Sequence, residues 1–491
     1  MEGFEELNLR RAIINSIESS EEAGGQNKKT KARKRIESLL DDNSFVEIGA
    51  LSQSKGAGVI TGYGTINNRL AYVYSQDIAK SGGIMNRRNY EKILNILELS
   101  LKMGAPVIQI LDSVGGDMEE GLQLLSYYSS IFNVQAKLTG VVPQISVICG
   151  SCVGAAALSA CISDVVIMTR EGELALNSAE RIERVSGTYS DLKAYAKGDS
   201  AGKSGSAEIV VETEEEALEM ARRVLSYLPH NNYELPSFQV IQGEESLSDE
   251  IDSLYIDGKL TYKELLESIA DRDSLLEIDN RMGAKIYTGF IKLRGLTLGV
   301  IASKDSEKGY ISIKDCEKAV RFIKICNAFN ISILSLTDCK GFLPSNEEEA
   351  KGEALYASRL LYVLAQASVP KVALIIGDSI GLGHIVFASK GSFDMCFALP
   401  ATTIAVAEPT EIVKQLYREE IASDPNPKEK EKQLIQKYLS EEATPFKAVE
   451  EGIIDDVIKP SEARVTLIKT FDMLQSKREL KYHKKHESGL I

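Results

Sequence analysis

Two stretches of the sequence, PQISVICGSCVGAA at residues 143–156 and PKVALIIGDSIGLG at residues 370–383, share one pattern. Each begins with a proline, continues through apolar residues to a glycine, and reaches a second glycine four residues later, at Gly154 and Gly381. A short apolar run bounded by glycine is typical of a buried strand, and small residues after it let a helix pack closely. Each stretch therefore predicts a strand, a glycine turn and a helix.

The spacing of 227 residues between these stretches recurs, to within a few residues, at other landmarks along the chain. The matched pairs are Arg35–Leu40 with Glu264–Ile269, Thr61–Tyr63 with Thr288–Phe290, and Leu111–Ser113 with Thr337–Cys339. This period is far longer than that of solenoid repeats. We therefore expect two copies of one domain, at residues 1–235 and 236–491, with an irregular join around Pro229–Tyr262.

Each copy alternates strand-like and helix-like segments. In the first copy, β-type alternation over Val59–Gln76 precedes a helical pattern over Tyr90–Lys102, and the second copy repeats this order at Ile286–Ser303 and Asp315–Phe329. Alternating strands and helices, with several continuous apolar runs, indicate sheets covered by helices on both faces. The predicted fold class is α/β.

The composition excludes several classes of protein. The 491 residues include 57 basic and 71 acidic ones, and a formal net charge of −14 opposes nucleic-acid binding. The seven cysteines mostly lie in apolar runs, which favours reduced thiols, and Cys149-x-x-Cys152 has no partner motif to complete a metal site. The apolar stretch Val141–Met168 contains Pro143 and Asp164, so a strand–turn–helix explains it better than a membrane span. We expect a cytoplasmic protein without a bound metal.

The two glycine turns are the strongest candidates for chemistry. Small residues at a helix start leave backbone N–H groups accessible, and the helix dipole favours negative charge there, as an oxyanion or enolate requires. Tight packing of the helix is the stronger explanation for a single turn, but recurrence at matching places favours function. Acid–base side chains are scarce: His384 either faces a ligand or lies on the helix, and Asp112 and Asp338 are either site walls or helix caps.

Seven motifs together resemble the biotin-dependent acyl-CoA carboxyltransferase subunits, over about residues 30–460. They are KARKRI at 31–36, GVITGYGTI at 58–66, GVVPQISVI at 140–148, LSYLPHNN at 225–232, AVRFI at 319–323, GFLP at 341–344 and SVPK at 368–371. The resemblance implies a tandem duplication of a crotonase-like (ClpP/crotonase) ββα-spiral domain. It also implies that the first copy binds acyl-CoA, of the propionyl- or methylmalonyl-CoA type, and the second binds biotin.

The same resemblance assigns roles at the turns. It implies that the N–H groups of Gly154 and Ala155 hold the thioester carbonyl oxygen, and that those of Leu382 and Gly383 hold the ureido oxygen of biotin. Further substrate-binding positions are expected at Gly115, Gly116, Gly150, Gly377, Gly381 and Ile385. These assignments make two backbone oxyanion holes the main catalytic groups.

The resemblance also implies partners. The sequence contains no biotinyl-lysine motif and no ATP-binding glycine loop, so biotin would be carried on another subunit. The expected partners are a biotin carrier protein and either a biotin carboxylase or a membrane decarboxylase subunit, through which the protein would reach a membrane. The expected assembly is a homo-oligomer, a hexamer built as a trimer of dimers.

The sequence departs from the family pattern close to the expected ligands. Asp117 stands in place of an arginine, Ser345–Ala350 replace a segment with paired glycines, and Leu382 occupies an oxyanion position. Two functions therefore remain: an active carboxyltransferase or decarboxylase subunit, and a non-catalytic scaffold subunit of a biotin-dependent complex. A crotonase-like hydrolase or isomerase would need more acid–base side chains. Neither the acyl group nor the direction of the reaction follows from the sequence.

Overall fold

The computed structural model describes residues 2–20, 30–51, 58–236, 249–304 and 309–479. The chain divides into two compact units, Met1–Pro236 and Ser237–Ile491. Both units contain an eight-stranded sheet with helices between the strands, so the predicted α/β class is confirmed.

The first unit holds the elements numbered α1 to α9 and β1 to β8. The helices are α1 (Glu2–Ser20), α2 (Lys31–Leu39), α3 (Arg87–Met103), α4 (Gln123–Leu138), α5 (Ala155–Ile162), α6 (Ala179–Ser186), α7 (Leu192–Tyr195), α8 (Gly198–Ser204) and α9 (Glu214–Leu225). The strands are β1 (Val46–Glu47), β2 (Val59–Ile66), β3 (Arg69–Gln76), β4 (Val107–Ser113), β5 (Gln144–Val153), β6 (Val165–Thr169), β7 (Glu173–Ala175) and β8 (Ile209–Val211). Short 3₁₀ helices lie at Ser81–Gly83 and Met118–Glu120.

The second unit holds the elements numbered α10 to α20 and β9 to β18. The helices are α10 (Asp249–Ile256), α11 (Tyr262–Ile269), α12 (Ile313–Ala328), α13 (Asn346–Ala350), α14 (Glu353–Gln366), α15 (Gly381–Phe387), α16 (Pro409–Leu416), α17 (Arg418–Ser423), α18 (Pro427–Glu441), α19 (Pro445–Glu450) and α20 (Ala463–Leu474). The strands are β9 (Leu276–Glu277), β10 (Ile286–Leu293), β11 (Leu296–Ser303), β12 (Tyr310–Ile311), β13 (Ser332–Cys339), β14 (Gly341–Phe342), β15 (Lys371–Ile380), β16 (Met395–Ala398), β17 (Thr403–Ala405) and β18 (Asp456–Val457). A 3₁₀ helix lies at Pro460–Glu462.

The two large sheets have the same topology. The first runs β1-β2-β3-β4-β5-β6-β8 with β7 beside β5, and the second runs β9-β10-β11-β13-β15-β16-β18 with β17 beside β15. The first three strands of each sheet pair antiparallel and the others pair parallel. The strand that leads into each glycine turn, β5 or β15, therefore lies inside the sheet, where parallel neighbours hold it on both sides.

Each sheet begins with a hairpin whose turn fixes its register. The turn residues are Asn67-Asn68 in the first unit, with φ of 52° and 61°, and Arg294-Gly295 in the second, with φ of 53° and 84°. Two-residue turns with positive φ at both positions match the twist of the flanking strands. The strand bounds consequently coincide with the ends of the two predicted alternating segments, 59–76 and 286–303.

The repeated Thr-Gly motif of these hairpins is explained by close packing of an edge strand. A Cβ atom on Gly62 would lie 2.3 Å from the Val46 carbonyl oxygen, and one on Gly289 would lie 2.4 Å from that of Leu276. Glycine inside a strand often marks such a close approach of another backbone. The Thr-Gly motif, which indicates the duplication in the sequence, therefore recurs because the edge strand packs equally closely in both units.

Helix α3 shows how local sequence sets an element. The Asn86 side chain caps its start, Gly104 ends it in the left-handed conformation, and Ile93 and Ile96 are fully buried against the sheet. Burial of such a side chain contributes about 1.5–3 kcal/mol. The helix begins three residues before the predicted Tyr90 because the asparagine cap satisfies its first turn.

The predicted irregular join, Pro229–Tyr262, lies partly outside the described residues, at 237–248. Its described part contains α10, which the sequence pattern did not predict. A helix of eight residues is marginal by itself. Here the Asp252 carboxylate accepts hydrogen bonds from the N–H and hydroxyl of Ser461, at 2.9 and 2.7 Å, so contacts distant in sequence stabilise the helix.

Within the five described segments, no helix combines the length and apolarity that a membrane crossing needs. The apolar stretch 141–168 consists of β5, the glycine turn, α5 and part of β6, as predicted.

Candidate active site

The first glycine turn connects β5 to α5 at Gly154. This residue has φ of 76° and ψ of −131°, and a Cβ atom placed on it would meet no atom within 4 Å. Glycine adopts such a positive φ without the steric cost that other residues incur. The turn therefore requires glycine for its backbone conformation, and the space beside it is open to a ligand.

The backbone donors at this turn differ from the sequence prediction. The Gly154 N–H donates to the Ala175 carbonyl oxygen at 2.9 Å, in continuation of the pairing between β5 and β7. The N–H groups at the start of a helix have no acceptor within the helix. In this structure the donors offered by the first turn of α5 are therefore those of Ala155 and Ala156, while Gly154 supplies the conformation.

Gly150, four residues earlier, has a packing role. A Cβ atom on Gly150 would lie 2.0 Å from Oδ1 of Asp112, at the end of the neighbouring strand β4. The second unit repeats this arrangement, because a Cβ atom on Gly377 would lie 2.5 Å from Oδ1 of Asp338. Both glycines admit an aspartate side chain between strands, which is the packing explanation left open by the sequence.

The Asp112 carboxylate belongs to a buried charge cluster. Arg35 is 4% exposed; its guanidinium donates to Asp112 Oδ2 at 2.9 Å and to both carboxylate oxygens of Glu214 at 2.7 Å. Burial alone would lower the pKa of Arg35, but its hydrogen bonds to Glu214 and the nearby negative charges raise it. The pKa of Glu214 is lowered, because the bonds from Arg35 outweigh the opposing effect of burial. Arg35 and Glu214 are therefore charged at neutral pH.

Sequence reasoning did not identify Arg35 as a site residue. It appeared within the basic motif at 31–36 and the repeated segment Arg35–Leu40, with no role assigned to its side chain. Ala32, Ile36 and Leu39 are the other buried positions of α2 and lie on the same face. An arginine on the apolar stripe of a helix is the signal that a buried partner exists.

The loop after β4 lies beside the first turn. Gly115 has φ of 126° with open space at its Cβ position, and its N–H donates to the Ser113 hydroxyl at 3.1 Å. At Gly116, by contrast, a Cβ atom would meet the Leu124 side chain at 2.4 Å. Of the two predicted substrate-binding glycines, only Gly115 therefore faces open space.

The second glycine turn connects β15 to α15 at Gly381, whose φ is 50°. The side chains of Leu382 and Ile385 are 60% and 47% exposed, so they point away from the core. The backbone at Gly383 is tightly packed, since a Cβ atom there would lie 2.5 Å from the Cys339 carbonyl oxygen. Leucine at the predicted oxyanion position is therefore accommodated in this unit without filling the turn.

The loop after β13 carries Lys340 at the position where the first unit has Val114. Lys340 Nζ lies 3.3 Å from Asp378 Oδ2 and 3.8 Å from Glu408 Oε1, and the Tyr310 hydroxyl donates to the same Glu408 oxygen at 3.1 Å. Burial alone would lower the pKa of Lys340, but the two carboxylates raise it. The residue that follows, Gly341, has φ of 125°, nearly that of Gly115, and a Cβ atom on it would approach the nitrogen of Gly383 to 4.0 Å.

A cavity of about 380 Å³ opens beside α15 in the second unit. Gly381, His384 and Ile385 line it from the helix, and Ile404 and Val406 line it from β17 and the residue after it. Polar and charged side chains complete the lining, namely Tyr438, Glu442, Thr444, Lys447 and Glu451. The cavity therefore combines apolar side chains, charged groups and the histidine whose role the sequence left open. A larger recess of about 610 Å³ between α2 and α9 is lined by charged side chains and lies away from either turn.

The departures at Asp117 and Ser345 have structural explanations. The Asp117 carboxylate accepts from the Glu119 N–H at 3.0 Å at the start of a 3₁₀ helix, and the Ser345 hydroxyl accepts from the Glu348 N–H at 3.2 Å at the start of α13. Both residues are helix caps of the kind that oxygen-bearing side chains form. Neither residue belongs to β5, α5, β15 or α15, which form the two glycine turns.

A buried lysine occurs in each unit and was not identified from the sequence. Lys92 Nζ donates to the Val59 carbonyl oxygen at 2.7 Å, and Lys318 Nζ donates to that of Ile286 at 2.8 Å. Burial lowers the pKa of both ammonium groups to about 8. Their spacing of 226 residues could have identified them from the sequence, because it places them at matching positions of α3 and α12.

The described residues contain no group of three or more histidine, cysteine, aspartate or glutamate side chains arranged to hold a metal ion. All seven cysteines are free thiols in the structure.

Comparison with known proteins adds to this geometry. Residues 25–488 match the carboxyl transferase domain family. The chain is 34% identical over 488 residues to the putative propionyl-CoA carboxylase beta chain of Bacillus subtilis (strain 168), covering 95% of this chain and 96% of that protein. It is 33% identical over 480 residues to the methylmalonyl-CoA decarboxylase subunit alpha of Veillonella parvula, covering 93% and 92% of the two chains.

Among solved structures, the chain is similar to transcarboxylase 12S, described as a hexamer assembly with methylmalonyl-coenzyme A and methylmalonic acid bound. The TM-score is 0.91 at 29% sequence identity, and the match covers 99% of this chain and 98% of that one. The expected duplicated crotonase-like fold is confirmed by this likeness.

Proposed function

The chain belongs to the carboxyl transferase domain family, as its motifs suggested, and on that premise we propose that it moves a carboxyl group between an acyl-CoA and biotin. The acyl-CoA is of the propionyl- or methylmalonyl-CoA type, and the biotin is carried on a separate subunit. The observation that carries the proposal is the end-to-end similarity to proteins named for these reactions, over 93–95% of this chain.

In this proposal the turn of the first unit binds the thioester carbonyl oxygen. The Ala155 N–H is the donor retained from the sequence assignment, with the Ala156 N–H beside it and Gly154 keeping the space above them open. Donors aimed at a developing oxyanion stabilise the enolate that forms when the α-carbon loses a proton or carbon dioxide. Gly115 leaves room for the thioester on the adjacent loop.

The turn of the second unit binds the ureido group of biotin. The N–H groups of Leu382 and Gly383 are the donors, and the outward direction of the Leu382 side chain leaves the turn accessible. The cavity of about 380 Å³ beside Gly381 and Ile385 fits a compact bicyclic ligand with one apolar side. When bound, biotin carries the carboxyl group and supplies the basic nitrogen that an active site poor in acid–base side chains lacks.

The protein itself contributes position and charge stabilisation. Backbone donors need no proton transfer of their own, and removal of one such donor typically costs about 100- to 1000-fold in rate. Holding the two reactants in one geometry contributes further, because it converts a bimolecular step into an effectively unimolecular one. The reaction direction is set by the partners, a biotin carrier protein and either a biotin carboxylase or a membrane decarboxylase subunit, around a homo-hexameric core.

The test is carboxyl loss with free biotin as the acceptor. Purified full-length protein is given malonyl-CoA, methylmalonyl-CoA or glutaconyl-CoA with excess biotin, and binding of each CoA ester is measured in parallel. Turnover of one ester supports the proposal and names its acyl group. An absence of both turnover and CoA binding would contradict it and favour the non-catalytic scaffold.

A further inference from the structure

The cavity of the second unit contains a pair of polar side chains that the two glycine turns do not use. Ser379, the penultimate residue of β15, is fully buried, and its hydroxyl lies 2.9 Å from Nδ1 of His384 on α15. His384 lines the cavity together with the apolar side chains of Ile385 and Ile404. The pair thus lies beside apolar side chains, in a cavity that Glu442, Lys447 and Glu451 also line. Apolar surface with a few polar groups is typical of small-molecule sites.

The hydrogen bond fixes the form of the imidazole. A buried hydroxyl needs an acceptor for its proton, and among the described residues Nδ1 of His384 is the partner recorded for Ser379. If Ser379 donates to Nδ1, the proton of the neutral ring resides on Nε2. Burial lowers the pKa of His384, so the ring is neutral at pH 7. Nε2–H is then a donor with no partner among the described residues.

We propose that His384, held by Ser379, is a further ligand-binding residue of the second unit, whose Nε2–H donates to the oxygen of a cyclic urea bound in this cavity. The identity of the ligand, biotin, rests on the proposed function. The position of the binding site rests on the cavity and the side-chain pair. The apolar side chains of Ile385, Ile404 and Val406 pack against the non-polar part of the same ligand. His384 is a binding residue here and not an acid or base.

The equivalent place in the first unit offers no such pair. The strand position that matches Ser379 is Cys152, and the helix position that matches His384 is Ala157, both of them buried. At these two matched positions, the polar pair is therefore a feature of the unit proposed to bind biotin. Its effect should therefore fall on biotin and not on the acyl-CoA.

The test measures carboxyl loss with free biotin at varied biotin and at varied acyl-CoA concentration. We expect His384→Phe to raise the KM for biotin about 10-fold, the equivalent of one lost hydrogen bond, with the KM for acyl-CoA unchanged. His384→Gln, which keeps an N–H donor, should stay within about 3-fold of the wild type. Leu416→Ala is the control, because Leu416 lies on α16 of the same unit, is 68% exposed and does not line the cavity, so both KM values should stay unchanged.

Thermal unfolding with and without millimolar biotin accompanies the kinetics and shows whether each variant folds. We expect biotin to raise the melting temperature of the wild type and of His384→Gln, but not that of His384→Phe. This result supports the inference even if no acyl-CoA is turned over. In that case the proposed function, and not the inference, would have failed. Wild-type turnover with the same biotin KM in His384→Phe would overturn the inference alone. Neither turnover nor a biotin-dependent rise in the wild type would overturn both.

Discussion

The two units share one sheet topology but differ in what lies beneath and around their glycine turns. In the first unit, the core behind α5 contains buried glutamines: Gln135 Nε2 donates to the Ser159 carbonyl oxygen at 3.2 Å, and Gln109 Nε2 donates to the Ser163 hydroxyl at 2.6 Å. The matching place in the second unit has Val386 where the first has Ser159. At this helix position the first unit thus has a serine beside a polar network, and the second unit has an apolar side chain.

The loops beside the two turns also differ in polarity, but here the first unit is the more apolar one at the compared positions. Beside the first turn, Val114, Met118 and Leu122 are 62%, 84% and 84% exposed, whereas the loop that matches Val114 in the second unit carries Lys340, paired with Asp378. The features common to both units are those that set the backbone: the hairpin, the aspartate packed against a glycine, and the glycine turn. Polarity in the core and at the rim was free to diverge once the backbone was defined.

The largest effect is expected from the charge cluster of Arg35, Asp112 and Glu214 in the first unit. Arg35→Met leaves Asp112 and Glu214 without their cation, and breaking a buried ion pair costs about 3–5 kcal/mol. We expect a loss of that size in the free energy of unfolding of the first unit, measured by chemical denaturation. In the triple variant Arg35→Met, Asp112→Asn, Glu214→Gln, much of the stability should return, because no unpaired charge remains. A decrease of less than about 1 kcal/mol in the free energy of unfolding for Arg35→Met would show that its ion pairs contribute little to stability.

The next effect tests the open turn of the first unit. Gly154→Val forces a β-branched residue to φ of 76° and places methyl groups above the Ala155 donor, so carboxyl loss should fall about 100- to 1000-fold. The control is Gly187→Val, because Gly187 has φ of 71° and equally open surroundings but lies at the end of α6. Equal losses of activity in both variants would indicate backbone strain and not a blocked site.

A feature that both units share should produce a pH effect of intermediate size. Lys92 and Lys318 have a pKa of about 8 when folded, below the value for an unfolded chain, so the unfolded state binds more protons between about pH 8 and 10.5. Stability should therefore rise with pH through that window, by up to about 3 kcal/mol per lysine, and stay level below pH 8. Denaturation at several pH values should show a flatter profile in Lys92→Met and Lys318→Met. Lys102→Met, at an exposed position near the end of α3, should keep the wild-type slope.

The smallest effect is expected at a departure from the family pattern. Leu382→Ala shortens a side chain that is 60% exposed and keeps the backbone N–H, so carboxyl loss should change less than about 2-fold. Leu382→Pro removes the N–H and should lower the rate about 100-fold. If Leu382→Ala were as damaging as Leu382→Pro, the side chain and not the backbone donor would be the functional group.

Much of the fold could be predicted from the sequence. The predicted β-type segments at 59–76 and 286–303 end at the same residues as the two hairpins, although the turns inside them were not predicted. The strands could be predicted because they depend on neighbours in the chain. The α10 helix was missed because its stabilising contact, Asp252 with Ser461, spans 209 residues. At the site, the glycine turns were found from local pattern, but the donor role of Gly154 was assigned without knowledge of its bond to Ala175.

By itself, the sequence determined the duplication, the position of the two strand–turn–helix elements and the family. These depend on local periodicity and on short motifs that are read directly from the sequence. Only the tertiary structure decided which glycines face open space and which admit an aspartate from the next strand. It also decided that Arg35 pairs with residues 77 and 179 positions away, and that Ser379 fixes the ring of His384. The physical reason is that burial and hydrogen-bond geometry arise between strands and helices distant in sequence, where periodicity carries no information.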